Sequence, residues 1–574
     1  MNYHGSDATF KVTTKTRKRG KSVGNNDLEA NTFAANAEGA NSVEDDFRNF
    51  VIVDPKNGAR IGPDRGDIFK GYEALIDDPE DAERCNIRML GRLASEINNT
   101  KLLDADTENN AIPAGYTYFA QFVTHDFVHN SASIPNRLDE TGPRPNMRAL
   151  PLLLDTIYGG GPGVHPYCYQ VGLREASSVR QQREKLRLGL VRETGNQAVY
   201  QDLPRDSSMA RRDCDATRNV CPGGMPDVLI ADVRNDDTPI LAQIQVLFHH
   251  LHNNLIEKYK NEFGKPDFLN VSRICAYIYR TILKEDLLHK LLHGNVYKNY
   301  SKKRKLSSFI DSTNDLRVPV EFSNSALRIG HVMVRNEYSF NSSLKRQMDV
   351  IRKFTSSSSI NMPLPSNWIV NWAKFFNLDN TFQSSRKIRP AIASILADLE
   401  FTSADGTKFP NIIERDFLRG FFAAQWSVHQ LIRKIRPFLP KEISKYPIMN
   451  LDDASRRQHI VNWLKVHNKF LNESDAKVIE NDPPLFFYIL LEASLPKADG
   501  GGDGEHLGVL GSILLAEVFY KTLLSTEKLV DPSTGPKTAA KAKILFNGKI
   551  PQNMPELIRA IPLWDVDANN LSGD

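Results

Sequence analysis

The chain has 574 residues, of which 41% are hydrophobic and 25% charged, the balance of an ordinary soluble protein with a large core. Its formal net charge of +4 does not indicate a nucleic-acid binder, and five cysteines are too few, and odd in number, for a disulfide framework. We expect no transmembrane segment, because the longest apolar run, PLFFYILLEASL, is broken by Glu492 and is too short to span a bilayer.

The two ends of the chain differ from its middle in composition. Residues 1–45 are rich in Lys, Asn, Gly, Ser and Thr, and we predict a disordered basic tail. Its basic residues are not followed by an apolar stretch, so we do not expect a Sec signal peptide. The compartment stays open between the cytoplasm and export by another route. We predict one large domain over residues 46–530 and a peripheral C-terminal extension over residues 531–574.

The segment QFVTHDFVHN, residues 121–130, carries polar groups at positions where a buried helix would carry leucine. On a helix, His125 and His129 share a face, and Gln121 lies one turn before His125. This pattern fits a metal or cofactor site, and it fits equally a polar helix edge with ordinary histidines.

Further along, ADVRNDDTP leads into a helix that bears FHHLHNN. Pro239 in a first helical turn marks a helix start, and Arg234 just before it could stabilise an anion. Neighbouring histidines on a helix point about 100° apart, so at most one or two of them can serve one site. They could equally be buried contacts between helices. The histidines concerned are His249, His250 and His252.

The middle of the chain is mainly helical by periodicity. Apolar residues recur at helical spacing over four segments, residues 241–260, 271–292, 417–435 and 510–524. Alternating strand patterns are scarce. The predicted fold class is therefore mainly α, a single large domain with little β-structure.

A third polar position lies in ALRIGHVMV, where His331 has apolar neighbours and follows the small Gly330. A lone histidine on an apolar face is usually a satisfied core residue, but a glycine beside it lets a flat group approach closely. An acid–base histidine, an arginine for charge and a histidine in an apolar wall are the set that a haem peroxidase needs.

These segments, in this order, resemble the animal-type haem peroxidase superfamily. QFVTHDF resembles the family's distal segment, ADVRNDDTP with its helix the segment of the distal arginine, and ALRIGHVMV the proximal segment. DTIYGGGP and PLFFYILLEASL with GEHLGVLGSILLAEV look most like the bacterial branch. The resemblance covers roughly residues 50–525.

The resemblance implies a role for each matching residue. His125 would be the distal base, Gln121 a distal hydrogen-bonding group and Arg234 the distal cation. His331 would be the proximal iron ligand, and Arg328 would lie near a haem propionate. The asparagine that supports the proximal histidine in the family has no clear counterpart; residues 387–389 lie roughly in that region.

Departures from the family pattern limit how haem could be attached. Asp237 stands where the family has a glutamate that can esterify a haem methyl, and it is one methylene shorter. Thr124 replaces the aspartate of a second ester, and Thr238 replaces a sulfonium-forming methionine. We therefore expect b-type or singly ester-linked haem. Asp126 and Asp155 could bind calcium, although other ligands of that site are missing.

The predicted function is that of a haem peroxidase that reduces hydrogen peroxide and oxidises small organic or halide donors, in response to oxidative stress. One alternative is a haem-dependent fatty-acid dioxygenase. Dioxygenase relatives use a tyrosine a few residues before the proximal histidine, but here Arg328 is at that position and Tyr338 follows. Less expected are a metal-dependent hydrolase built on His125 and Asp126 with His249 or His250, and a haem protein without turnover.

Overall fold

The described part of the chain is mainly α-helical, which confirms the predicted fold class. A computed structural model describes residues 47–54, 56–100, 107–129, 148, 151–171, 183–192, 198–206, 227–302, 318–355, 361–397, 401–402, 408–409, 411–530 and 535–567. The predicted N-terminal tail lies outside these residues.

The α-helices enclose a large hydrophobic core, whose residues come from Phe50 to Ile561, with two smaller clusters beside it. They are α1 (Pro79–Asn99), α2 (Gly115–Phe127), α3 (Asp155–Tyr158), α4 (Pro239–Phe263), α5 (Phe268–Ile282), α6 (Leu288–Leu291), α7 (Gly294–Ser301), α8 (Val320–Asn324), α9 (Gly330–Met333), α10 (Met348–Ile351), α11 (Ser394–Ala397), α12 (Ile412–Phe422), α13 (Val428–Ile435), α14 (Lys441–Ser444), α15 (Ala454–Val466), α16 (Glu473–Asn481), α17 (Leu485–Ser494), α18 (Val509–Val530), α19 (Gly535–Leu545) and α20 (Met554–Ala560).

The strands are short and pair in twos. They are β1 (Phe47–Arg48), β2 (Ile52–Val53), β3 (Arg60–Ile61), β4 (Glu108–Pro113), β5 (Gly189–Leu190), β6 (Tyr200–Asp202), β7 (Val318–Pro319), β8 (Glu337–Ser339), β9 (Lys345–Gln347), β10 (Ser384–Arg386), β11 (Phe401–Thr402) and β12 (Lys408–Phe409). β1 pairs with β7 in parallel, while β2 with β3, β4 with β10, β5 with β6, β8 with β9 and β11 with β12 are antiparallel.

Helix α4 begins where the sequence predicts it. The Thr238 side chain accepts a hydrogen bond from the Leu241 backbone, and Pro239 fills the first helical position, where no backbone N–H is needed. The helix ends at Phe263 and is capped by Gly264, whose φ of +84° is a conformation that glycine adopts without strain. Local chemistry therefore fixes both ends of the longest helix of the core.

Helix α2 is held in place by aromatic packing against α4 and α5. Phe122 stacks on Phe248 with ring centroids 5.2 Å apart, and Tyr279 meets Phe248 edge-on at 5.8 Å. At the start of α2 the Gly115 N–H donates to the Phe375 carbonyl at 2.8 Å, and a Cβ at Gly115 would lie only 2.6 Å from that oxygen. The side chains that α2 carries are thus fixed relative to α4.

Two of the predicted helices differ from the structure. The segment 417–435 is not one helix, because α12 ends at Phe422 and Ala424 adopts a left-handed φ of +47° before α13 begins. The segment 271–292 includes a π-helical stretch, Leu283–Leu287, between α5 and α6. Periodicity does not reveal either change, because the apolar residues continue through both.

The segment predicted as a peripheral extension contributes side chains to the main core. Leu545, Met554 and Leu557 are buried there, and the Met554 N–H donates to the Asp286 carboxylate at 2.9 Å. Among the helices that the structure describes, one, α18, is long and apolar enough to cross a membrane, but 89% of its apolar window is buried within the protein. That burial is what a core helix of a folded domain shows.

Candidate functional site

His125 lies near the C-terminal end of α2 with its ring partly buried. The helix ends at Phe127, and Val128 is extended, with φ −130° and ψ 125°. The prediction that His125 and His129 share a helix face is therefore wrong. His129 lies beyond the helix end, where burial and then Arg234 lower its pKa.

The Nδ1 atom of His125 lies 2.8 Å from the Oδ1 atom of Asn235. The amide of Asn235 in turn donates from Nδ2 to Gln245 Oε1 at 2.8 Å, so Oδ1 is its accepting end. His125 must therefore carry its proton on Nδ1, and its Nε2 keeps a free lone pair. Asn235 is fully buried, so this bond does not compete with water.

The same series of hydrogen bonds continues along α4, the helix that carries both Gln245 and His249. Gln245 Nε2 donates to His249 Nε2 at 3.0 Å, and His249 Nδ1 then donates to the Arg187 carbonyl at 2.8 Å. Burial lowers the pKa of His249 to about 3, so it is neutral, as this arrangement requires. Each donor in the chain has an acceptor, and the orientation of His125 is fixed from within the core.

His125 has the protonation state of a general base at neutral pH. Burial, and then the positive charge of Arg234, lower its pKa from 6.5 to about 4. The Nε2 atom can therefore accept a proton from a bound substrate.

Arg234 lies beside His125 and is firmly held. Its Nη2 donates to the His125 carbonyl at 2.8 Å, and its Nη1 donates to the Val128 carbonyl at 2.8 Å. Nε and Nη2 also contact Asp232, at 2.9 and 2.6 Å. Asp232 has a pKa lowered to about 2, because its bonds to Arg234 outweigh its burial. The guanidinium is thus a fixed positive charge at the end of α2.

Gln121 lies one turn before His125 on the same face of α2, and its side chain contacts Asp237. Gln121 Nε2 donates to Asp237 Oδ2 at 3.2 Å, and the Asp237 side chain is exposed. The structure therefore brings together the four residues predicted for the distal side, Gln121, His125, Arg234 and Asp237.

His331 lies on α9, which packs against α2. Its Nδ1 atom is 2.5 Å from Oδ2 of Asp416, a fully buried residue on α12. Burial raises the pKa of Asp416, but His331, Arg328 and Arg415 outweigh this and hold it below its usual value. With Nδ1 engaged, Nε2 is the nitrogen that His331 has left for a metal, and its side chain is 25% exposed.

Arg328 precedes His331 and donates from Nε to the Ser323 carbonyl at 2.9 Å. Burial lowers the pKa of Arg328 and outweighs the opposing charge of Asp416, while Arg415 and Arg234 lower it further. A Cβ built at Gly330 meets no atom within 4 Å, so there is open space beside His331.

Of the two aspartates predicted as calcium ligands, Asp126 accepts backbone hydrogen bonds, and Asp155 lies close enough to it for the two charges to interact. Asp126 accepts the Leu154 N–H at 3.0 Å and the Thr156 N–H at 3.3 Å. Burial, and then Asp126, raise the pKa of Asp155 to about 7. The charge of Arg148 acts on both carboxyls, while Arg148 donates from Nε to the His125 carbonyl at 3.1 Å and from Nη2 to Asp232.

No group of three or more His, Cys, Asp or Glu that could hold a metal ion occurs among the described residues. The described donor set therefore does not fit the calcium ion that the resemblance implies. The hydrolase alternative lacks a ligand set for the same reason. Its histidines bond backbone carbonyls, His249 to Arg187 and His250 to Tyr200, as does His252 to Glu184.

Comparison with known proteins agrees with the resemblance. Residues 167–382 match the family model of the animal haem peroxidases. This segment of the chain is therefore similar to an animal haem peroxidase domain. Arg234, Asp237, Arg328 and His331 lie inside the matched residues, while Gln121 and His125 precede them. No curated protein matches the chain.

Three solved structures share the fold of this chain. Peroxidase A of Dictyostelium discoideum is 13% identical, with a TM-score of 0.51 over 82% of this chain and 88% of its own. Fatty acid alpha-dioxygenase of Arabidopsis thaliana is 11% identical, with a TM-score of 0.52 over 89% and 77%. The rice enzyme is 10% identical, with a TM-score of 0.51 over 93% and 89%. These likenesses show the fold and do not separate the two activities, and the bacterial branch stays a prediction.

The residues present fit the haem that the similarity to the animal haem peroxidases implies. His331 offers Nε2 as an iron ligand with Nδ1 held by a carboxylate, the usual support of a metal-bound histidine. On α2, against which α9 packs, His125 offers a free Nε2, and Asp237 nearby is exposed. Thr124 and Thr238 have structural roles instead of haem links: the Thr124 hydroxyl donates to Ala120 O at 2.8 Å, and Thr238 caps α4.

Sequence reasoning missed the residues that support the two histidines. Asn235 follows Arg234 directly, yet nothing in ADVRNDDTP marks it as the partner of a histidine more than a hundred positions earlier. Asp416 gave a weak signal, because it is a carboxylate among apolar residues of the helix IIERDFLRGFF. Arg148 gave none.

Proposed function

We propose that this protein is a haem peroxidase that reduces hydrogen peroxide and oxidises small organic or halide donors. The observation that carries the proposal is the pairing of two histidines in fixed tautomers on adjacent helices. His125 is neutral, with Nε2 free, and His331 has Nδ1 held by a buried carboxylate. Removal of peroxide would suit a role in the response to oxidative stress.

Haem, when bound, supplies the iron that coordinates peroxide and the porphyrin that exchanges electrons with the donor. His331 would hold the iron through Nε2. His125 would take the proton of one peroxide oxygen on Nε2 and return it to the other, which leaves as water. The fixed charge of Arg234 would stabilise the negative charge that develops as the O–O bond breaks. Gln121 would orient the peroxide by hydrogen bonding.

Arg328 is proposed to neutralise a haem propionate, since its guanidinium is partly buried near His331. Asp237 is exposed on the distal side and could form a single ester link to haem, although Gln121 engages one of its oxygens. A b-type haem needs neither link. Acid treatment followed by extraction would separate the two cases, because an ester-linked haem stays with the polypeptide.

The test is the absorption spectrum of the haem-supplemented protein before and after a small addition of hydrogen peroxide. We expect a Soret band that shifts on adding peroxide and returns on adding a phenol. His331→Ala should lose or weaken haem binding. A Soret band that ignores peroxide, or normal haem content in His331→Ala, would contradict the proposal.

Fatty-acid dioxygenation is the alternative within the superfamily, since two of the structural neighbours are named for that activity. In this chain, Arg328 occupies the position where such relatives have a tyrosine. Tyr338 is buried, and its hydroxyl accepts the Arg335 N–H at 2.9 Å. Oxygen uptake on adding a polyunsaturated fatty acid, without peroxide turnover, would favour the alternative.

A further inference from the structure

The buried carboxylate of Asp416 is a feature of this chain that the proposed reaction does not require. We propose that Asp416 is a positioning residue that holds His331 with Nδ1–H pointing to an anion, and so biases bound iron towards the ferric state. This inference rests on the proposed binding of haem at His331.

Asp416 is placed by the helix that carries it. Asn411 caps α12 by accepting the Glu414 N–H at 2.8 Å, and Ile412 and Ile413 bury the same face of the helix as Asp416. The side chain is 0% exposed. A carboxylate so deep in an apolar face is costly unless a partner offsets the cost, and His331 at 2.5 Å is that partner.

One oxygen of this carboxylate is directed at His331, with Oδ2 2.5 Å from Nδ1. Its second oxygen, Oδ1, is buried and has no hydrogen-bond partner in the part of the chain that the structure describes. The bond to Nδ1 is therefore the main direct contact of the carboxylate, and it fixes the ring orientation of His331.

A carboxylate that accepts the Nδ1 hydrogen bond changes the basicity of the His331 ring as well as its orientation. Drawing the Nδ1 proton towards an anion raises the basicity of Nε2, and a more basic axial ligand stabilises the higher charge of ferric iron. A neutral amide would accept the same hydrogen bond but would draw the proton less. The charge of Asp416, rather than the bond alone, is thus the inferred determinant.

The test is the ferric–ferrous midpoint potential of the haem-loaded full chain and of Asp416→Asn, measured by spectroelectrochemistry. We expect the substitution to shift the equilibrium at least tenfold towards ferrous iron, which for one electron is about 59 mV. Glu414→Gln is the matched control, because it removes a carboxylate from the same helix without touching His331. It should leave the potential unchanged.

A second measurement does not depend on a folded variant. In the unsubstituted ferrous protein, the iron–histidine stretching frequency should exceed that of the same haem bound to free imidazole, because the bond to a more basic nitrogen is stronger. Equal frequencies, or a midpoint potential of Asp416→Asn less than about 59 mV from that of the unsubstituted protein, would overturn the inference alone. Failure of the unsubstituted chain to bind haem through His331 would overturn the proposed function and this inference with it.

Discussion

His125 can act as a base because its surroundings set its tautomer and its charge separately. Asn235 fixes the proton on Nδ1, while burial and then the positive charge of Arg234 lower the pKa and so oppose protonation of Nε2. Neither effect belongs to the histidine itself, whose unperturbed pKa is about 6.5. Single substitutions at His125 and its neighbours therefore test the proposed chemistry most directly.

Replacing the proposed base should separate haem binding from peroxide cleavage. In His125→Ala we expect haem content to stay normal and the peroxide reaction to slow by about 10²- to 10⁴-fold, since that is what general acid–base steps supply. Stopped-flow absorption at the Soret band measures the rate. An unchanged rate would show that another group moves the proton.

The pH dependence of the peroxide step should follow the neutral form of His125. Because its pKa is lowered to about 4, the base is available above that pH, and the rate should fall as pH drops through about 4. In Arg234→Gln the lost positive charge should raise the pKa of His125, so the fall should begin at higher pH. If the fall in rate of Arg234→Gln began at the same pH or at a lower pH, the assignment of His125 as the base would be contradicted.

At the scale of elements, the C-terminal end of α2 is held by two guanidinium groups. Arg234 and Arg148 both donate to the His125 carbonyl and both contact Asp232. Cations are favourable at a helix C-terminus, where carbonyls lack intrahelical partners. Arg148 also acts on Asp126 and Asp155, the pair predicted to bind calcium. We infer that the guanidinium of Arg148 supplies the positive charge that a calcium ion would otherwise bring to Asp126 and Asp155.

This arrangement predicts stability without calcium. Chelation by EDTA should leave the melting temperature unchanged, whereas Arg148→Ala should cost about 1.5–3 kcal/mol, the range for hydrogen bonds to charged groups. Arg84→Ala is the control, because its ion pair with Asp81 is exposed and should contribute little. A melting temperature that falls with EDTA and recovers with calcium would show that an ion is bound after all.

At the scale of the whole molecule, the last described segment is part of the main core. α19 packs on α5 and α4, and the core side chains of α20 lie against the same cluster. The predicted division at residue 530 relied on Pro, Gly and Asn punctuation. Such residues mark turns between elements and carry no information about whether the next element packs.

Truncating a core residue of this segment should therefore destabilise the entire domain. Leu557→Ala should cost about 2–5 kcal/mol in denaturant unfolding, the usual loss for a buried leucine. Ile544→Ala, at a position 48% exposed on α19, should change stability by less than about 0.5 kcal/mol. Equal effects of the two substitutions would mean that the segment does not share the core.

The sequence by itself determined what depends on local order. Helical periodicity located α4, α5 and α18, capping chemistry located the start of α4, and the ordered polar segments pointed to His125, Arg234 and His331. Each of these features depends on residues within a few turns of one another, so a short stretch of sequence is enough to predict it.

Only the tertiary structure decided what supports those residues. Asn235 reaches His125 across 110 positions, and Asp416 reaches His331 across 85. The break between α12 and α13 and the guanidinium of Arg148 beside Asp126 and Asp155 were equally hidden. A hydrogen bond between distant segments depends on how helices pack, and packing is a property of the complete core that no single stretch of sequence contains.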